Sequence, residues 1–133
     1  MTTDLQAYPM AIYGVVAVHH WGKPWLEISD IDVIQQCLAT SRAVCDHIAS
    51  AWGQRQHRER FIAALSTAQL QAAEMQTWIE AAIAAGYLTP DAGQDLYDHY
   101  RHLYTVLDQL MAIAATAPNL LEENAETPLS VTA

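Results

Sequence analysis

Three long segments of this chain place apolar residues at steps of three and four with almost no interruption. Ile34, Cys37, Leu38, Ser41, Cys45, Ile48 and Trp52 form one such series. Phe61, Leu65, Ala68, Ala72, Met75, Ile79 and Ile83 form a second, and Leu96, Tyr100, Leu103, Leu107, Leu110 and Ala114 a third. A step averaging 3.6 puts every member of a series on one stripe of an α-helix. A strand needs alternation, and no useful length of the chain alternates. Amphipathic helices with short connections bury their stripes against one another, so the pattern predicts an all-α, antiparallel up-down four-helix bundle.

Punctuation sets the helix boundaries. A first helix is expected from about Leu5 to Trp21, broken by Gly22 and Pro24 in "WGKPW". Its apolar run, Tyr8 to Val18, is roughly half the length a membrane span needs and reads as a buried helix. The second helix opens on a Ser29/Asp30 cap and ends or bends at Gly53. The third is expected over Arg55 to Ala85, stopped by Gly86. Thr89 then caps a fourth helix, with Pro90 at its first position and Asp91 favouring its dipole, continuing to about Thr116. From Pro118 the chain is acidic and aperiodic. The expected organisation is one bundle domain, residues 1–117, and a short disordered C-terminal tail, residues 118–133.

Charge and cysteine usage narrow the function classes. A formal charge of -9 argues against general DNA or membrane-surface binding, both of which leave a basic footprint. Cys37 and Cys45 on one helix are separated by about 12 Å of rise. A disulfide needs Cα atoms within about 7 Å, so both are expected as reduced core thiols. The start of the chain lacks the basic n-region of a signal peptide, having no Lys or Arg before Lys23. Cytoplasmic localisation is the resulting expectation.

Three groups of residues are candidates for function. Half of the six basic side chains, Arg55, Arg58 and Arg60, crowd with His57 into "WGQRQHRERF". They either bind an anion such as RNA or pair with Glu59 and nearby carboxylates. Asp95, Asp98, His99 and His102 have i,i+3 and i,i+4 spacings that form a possible metal half-site on one helix flank. No matching Glu-x-x-His stands on the other helices, and His19 and His20 are adjacent and diverge, so a solvated or interfacial face is the preferred reading. Neither a metal nor another cofactor is expected. The third group is a second apolar face: Ala63, Thr67, Leu70, Glu74, Trp78, Ala81 and Ala85 on the third helix, flanked by Tyr97, Tyr104 and Met111 on the fourth. It either widens the core or meets another subunit. Leu70, Glu74, Trp78, Tyr97 and Tyr104 are assigned to a subunit interface. No nucleophile–base pair, phosphate-binding Gly loop or catalytic carboxylate pair is visible, so the chain is not expected to be an enzyme.

From Gln36 to about Met111 the sequence resembles the four-helix-bundle family first met as reading frames in intervening sequences of bacterial large-subunit ribosomal RNA genes. "HIASAWGQR" is similar to that family's Asn-Ile-Ala-Glu-Gly-x-Gly-Arg turn. "RFIAALSTAQLQAAEMQTWIEAAIAAGYLTP" is similar to its third helix, and "LYDHYRHLYTVLDQLM" to its last. The Phe61, Leu65, Glu74, Gly86, Tyr87, Leu88 spacing is the most specific part. His47, Ser50 and Ala51 depart from it, standing where the family has Asn, Glu and Gly. The resemblance implies a bundle that assembles as a homopentameric ring. It also implies kinship with accessory proteins that bind a reverse transcriptase and its RNA in diversity-generating retroelements, although those binders are strongly basic. The combined expectation is a non-enzymatic, self-assembling scaffold or binding subunit. A reverse-transcriptase accessory role is the alternative, and a His/Asp metal-binding bundle a minor one.

Overall fold

The computed structural model describes residues 2–28 and 31–116, with side chains from Gln6 onward. Four α-helices follow in order: α1 Thr2–Ile28, α2 Asp32–Gly53, α3 Arg58–Ala84 and α4 Pro90–Thr116. The principal packed pairs are α1 with α2, α2 with α3, α3 with α4, and α4 with α1. That cyclic order, with short turns between helices, is an up-down four-helix bundle. Among the described residues there is no strand. The expected tail lies outside the described residues.

The stripes read from the sequence form the core. Every member of the α2 and α4 series is buried, and so is every α3 member except Ile83, which is half-buried while Ala82 closes that end. The α3–α4 turn follows its punctuation. Gly86 adopts φ 83°, a left-handed conformation that only glycine enters freely. The Tyr87 amide donates to the Ala82 carbonyl at 2.9 Å and the Gly86 amide to that of Ile83 at 3.0 Å, a Schellman closure. Thr89 Oγ1 then accepts the Ala92 amide at 3.3 Å as the α4 cap.

Two boundaries differ from expectation. α1 does not stop at Trp21; it continues through Gly22 and Pro24 to Ile28. Interior Gly and Pro cost about 1 and 3 kcal/mol against Ala. The extra turn packs Trp25 and Leu26 against the core, with the Trp25 ring edge-on to Tyr87 at 5.1 Å. Full burial of such side chains is worth about 1.5–3 kcal/mol each; half-buried here, the two together with the Trp25–Tyr87 ring contact, about 0.5–1.5 kcal/mol, are comparable to the local penalty. Gly22 also lets α1 approach α2, since a Cβ there would lie 2.9 Å from Ile34 Cγ2. At the second boundary α3 begins at Arg58, leaving Arg55 in the turn and His57 at the N-cap. The expected α2 cap falls on residues 29 and 30, outside the described residues; Ile31 occupies the N-cap position with no side-chain bond.

α1 is also not buried all round. Its inward stripe is small: Ala7, Ala11, Gly14, Val18 and Gly22 are buried. Its larger residues Ile12, Tyr13 and Val16 face out, because small side chains are what allow α1 to lie close to α2 and α4.

Candidate functional site

The α2–α3 turn sorts its arginines into two kinds. A run of amide bonds shapes it: Gln54 to Ala51, Arg55 to Trp52 and His57 to Gln54. Arg55 is half-buried. Its Nη1 donates to the Trp52 carbonyl at 2.9 Å, and its guanidinium lies 5.6 Å from the centre of the Trp52 ring. Trp52 in turn meets Phe61 edge-on at 6.1 Å. Arg55 therefore ties the end of α2 to the core beneath α3. His57, Arg58, Glu59 and Arg60 are exposed and line one shallow surface depression. Among the described residues neither Arg58 nor Arg60 makes an ion pair, with Glu59 or with any other carboxylate.

The acidic/histidine flank of α4 is divided by its contacts with α1. His99 Nε2 donates to the Met10 carbonyl oxygen at 2.7 Å, and its ring lies 4.7 Å from that of Tyr13. Asp98 accepts from Gln94 and pairs with Arg101 at 3.7 Å, while Asp95 and His102 are exposed. His99 is thus a tether between helices. Among the described residues no three His, Cys, Asp or Glu side chains are arranged to hold a metal ion.

The two cysteines lie inside. Burial pushes the Cys37 thiol up to about 12. It also raises Cys45, where Asp46 adds and a hydrogen bond from Tyr8 opposes. Both are free thiols. A buried thiol kept protonated is a poor nucleophile.

The second apolar face of α3 is split by the packing. Gln69 Nε2 donates to the Tyr104 carbonyl at 3.2 Å and to Asp108 at 3.3 Å, so the Gln69 flank of α3 meets α4. Trp78 lies nine residues on, about 180° round the helix, on the opposite flank, where it is half-buried against the core. Leu70 points outward at 65% exposure, with Glu74 and Thr67 beside it, and Tyr104 stands 40% exposed at the α3–α4 seam. Tyr97 is half-buried against the core. Leu70, Glu74 and Tyr104 are the parts of the expected interface that remain open; Trp78 and Tyr97 already have partners in their own chain.

With this architecture on the page, comparison with known proteins is informative. A profile of the family described as 23S rRNA-intervening sequence protein matches residues 3–109. The chain belongs to that family. Among solved structures it is similar to a protein of unknown function from the S23 ribosomal protein family of Bacteroides thetaiotaomicron, with a TM-score of 0.76 and 21% identity. The alignment covers 83% of this chain and 98% of that one, a likeness that shows the shared fold. No curated protein matches.

Within this member of the family, the α2 residues that depart from the family's turn have structural partners. His47 Nδ1 bonds the Ala43 carbonyl at 2.9 Å, Ser50 Oγ accepts from Gln54, and Ala51 is fully buried. Sequence reasoning missed the outer face of α1, where Tyr13 and Val16 are each 61% exposed and Ile12 lies beside them. Tyr13 also borders a hollow of about 260 Å³ at the α1–α4 seam, with Ala17, Trp21, Leu88 and Leu96. The available signal was the Ala7, Ala11, Gly14, Val18 spacing, which marks the small-residue side of α1 as the packed one. Among the described residues, no helix is long and apolar enough to cross a membrane.

Proposed function

We propose that this protein is a non-enzymatic, cytoplasmic scaffold or binding subunit that assembles with itself into a ring, the pentamer being the form its family resemblance implies. One observation carries the reading. The bundle exposes two separate apolar patches, Ile12–Tyr13–Val16 on α1 and Leu70 with Tyr104 on α3 and α4. Scattered single exposed apolar residues need no explanation, but grouped ones mark contacts. An isologous dimer uses one patch twice, whereas a ring needs two different patches that meet head to tail. α1 and α3 are not neighbours in the cyclic order of helices, so the patches lie on different sides of the molecule. The hollow beside Tyr13 offers a receptor for a side chain such as Leu70 from the next copy. Light scattering coupled to gel filtration tests the reading: the wild-type chain should have a mass several times that of one subunit, and Leu70→Glu should reduce it. A wild-type monomer would overturn it.

A second reading, a nucleic-acid-binding accessory of a reverse transcriptase, draws support from Arg58 and Arg60, which are exposed and make no ion pair among the described residues. The net charge of -9 opposes any polyanion. Filter binding of single-stranded RNA at two salt concentrations tests it. Binding that persists at physiological salt and disappears in Arg58→Gln with Arg60→Gln would favour this reading over the scaffold.

A further inference from the structure

Granted the head-to-tail assembly of the two apolar patches, on which this rests, we propose that charge fixes the contact. Glu74 of one copy seats in a basic depression on α1 of the next, bordered by His19, His20 and Lys23, while Leu70 fills the hollow beside Tyr13.

Two depressions lie side by side on the outer face of α1. One is the hollow that Tyr13, Ala17 and Trp21 share with α4. The other, of about 450 Å³, is bordered by Val15, Val16, His19, His20 and Lys23. His20 belongs to both, so the two open onto one surface. The second depression is basic and has no carboxylate in its lining. Each imidazole offers at least one N–H donor in either protonation state, and Lys23 adds a fixed charge. Lys23 is exposed and makes no ion pair or hydrogen bond among the described residues.

The α3 patch carries the opposite charge in the matching place. Among the described residues of α3, Leu70 is the large apolar side chain left exposed. Glu74 follows it by four residues, about 6 Å further along the same face. Glu74 is exposed and, like Lys23, has no partner among the described residues. The next charge along α3 is another acid, Glu80, and Arg101 of α4 is taken by Asp98. Asp108, held by Gln69, makes the surface around Tyr104 more acidic still. An apolar anchor with an acid one turn away thus complements an apolar hollow with a basic depression beside it.

A second copy is the favoured occupant because it supplies both halves of the match. Two chains of net charge -9 repel, so a local pair of opposite sign is what sets their register. The other basic depression, at the α2–α3 turn, is lined by His57, Arg58, Glu59 and Arg60 and offers Leu70 no apolar seat. A nucleic acid would meet the same net charge and leave the apolar hollow unfilled.

Sedimentation velocity over a range of concentrations tests the pairing, using the full-length wild type, Glu74→Lys, Lys23→Glu and the double exchange. Both positions are exposed, so the urea midpoints of all four proteins should agree. The wild type should assemble, less tightly at high salt than at low. Each single reversal sets like charges against each other and should raise the concentration of half-assembly at least roughly tenfold. The double exchange should return it to within about threefold of the wild type. Single reversals that assemble like the wild type overturn the pairing and leave the head-to-tail reading standing. So does a double exchange no better than the singles. A wild-type monomer overturns both.

Discussion

The Tyr100 hydroxyl of α4 rests on the bare backbone of Gly14 in α1. Tyr100 is fully buried, and a Cβ on residue 14 would overlap its hydroxyl. Among the described residues that hydroxyl has no hydrogen-bond partner. Burial is the main cause that raises its pKa, with the thiols of Cys37 and Cys45 adding to the effect. One missing side chain thus makes room for the largest fully buried side chain of the bundle.

The contact predicts a strong non-additivity. Gly14→Ala gains about 1 kcal/mol of helix propensity but forces an overlap worth about 1–3 kcal/mol, so it should destabilise or at best be neutral. Tyr100→Phe removes a buried hydroxyl that bonds nothing and should be neutral or stabilising by up to about 1 kcal/mol. In the Phe background the Gly14→Ala penalty should shrink without vanishing, because the ring Cζ would still lie 2.6 Å from the added Cβ. Urea unfolding of the four proteins gives the coupling, and simple additivity would show that the two residues do not share this space.

The head-to-tail reading of the apolar patches makes a mixing prediction. Tyr13→Glu with Val16→Glu removes the α1 patch, and Leu70→Glu removes the α3 patch. Each protein alone should be monomeric. Mixed in equal amounts they retain one intact contact between them, so they should form dimers and nothing larger. Leu70 is a cleaner probe than Trp78, whose own core packing would suffer from a charge. If the mixture stays monomeric while the wild type assembles, the interface uses other surfaces or is isologous.

His99 is expected to matter for stability and His102 is not. Losing the bond to the Met10 carbonyl and the tilted ring contact with Tyr13 should cost about 1–2 kcal/mol in His99→Ala. The exposed His102→Ala should change stability by no more than about 0.5 kcal/mol. Metal content by mass spectrometry should be the same in both variants and the wild type. Stoichiometric zinc or iron lost with either histidine would restore the metal reading.

Alkali should unfold the protein by a thiol route. The Cys37 pKa rises from 9.0 to about 12 on folding, so between those values the unfolded chain holds fewer protons than the native one. Stability is then fully present below about pH 9 and falls as pH rises toward 12, by at most about 1.4 kcal/mol per unit from this group. Cys45 is shifted in the same direction. Urea midpoints compared at about pH 8 and about pH 10 should fall, and Cys37→Ala should show a shallower decline. Native thiols should also resist a disulfide reagent until the protein unfolds. A midpoint that does not move over this range would contradict the burial argument.

Much of the fold was legible in the sequence, because helix periodicity and turn chemistry are local. The three core stripes, the Gly86 closure and the Thr89–Pro90 start each depend on residues within one or two turns of one another, and the structure places them as read. What the local signals misjudged was α1. Gly22 and Pro24 favour a break, but the packing of Trp25 and Leu26 offsets them, and only the assembled bundle supplies that packing. The candidate site was legible as residues but not as an arrangement. "WGQRQHRER" reads as one basic cluster, yet the fold spends Arg55 on Trp52 and leaves Arg58 and Arg60 outside. "DLYDHYRH" reads as one polar flank, yet α1 takes His99 from it. Leu70 and Trp78 share a face by spacing alone, but the neighbours of α3 cover one and expose the other. A sequence states which side chains share a helix face; which faces are covered depends on where the other helices stand, because burial and pairing are properties of contacts between segments far apart in the chain.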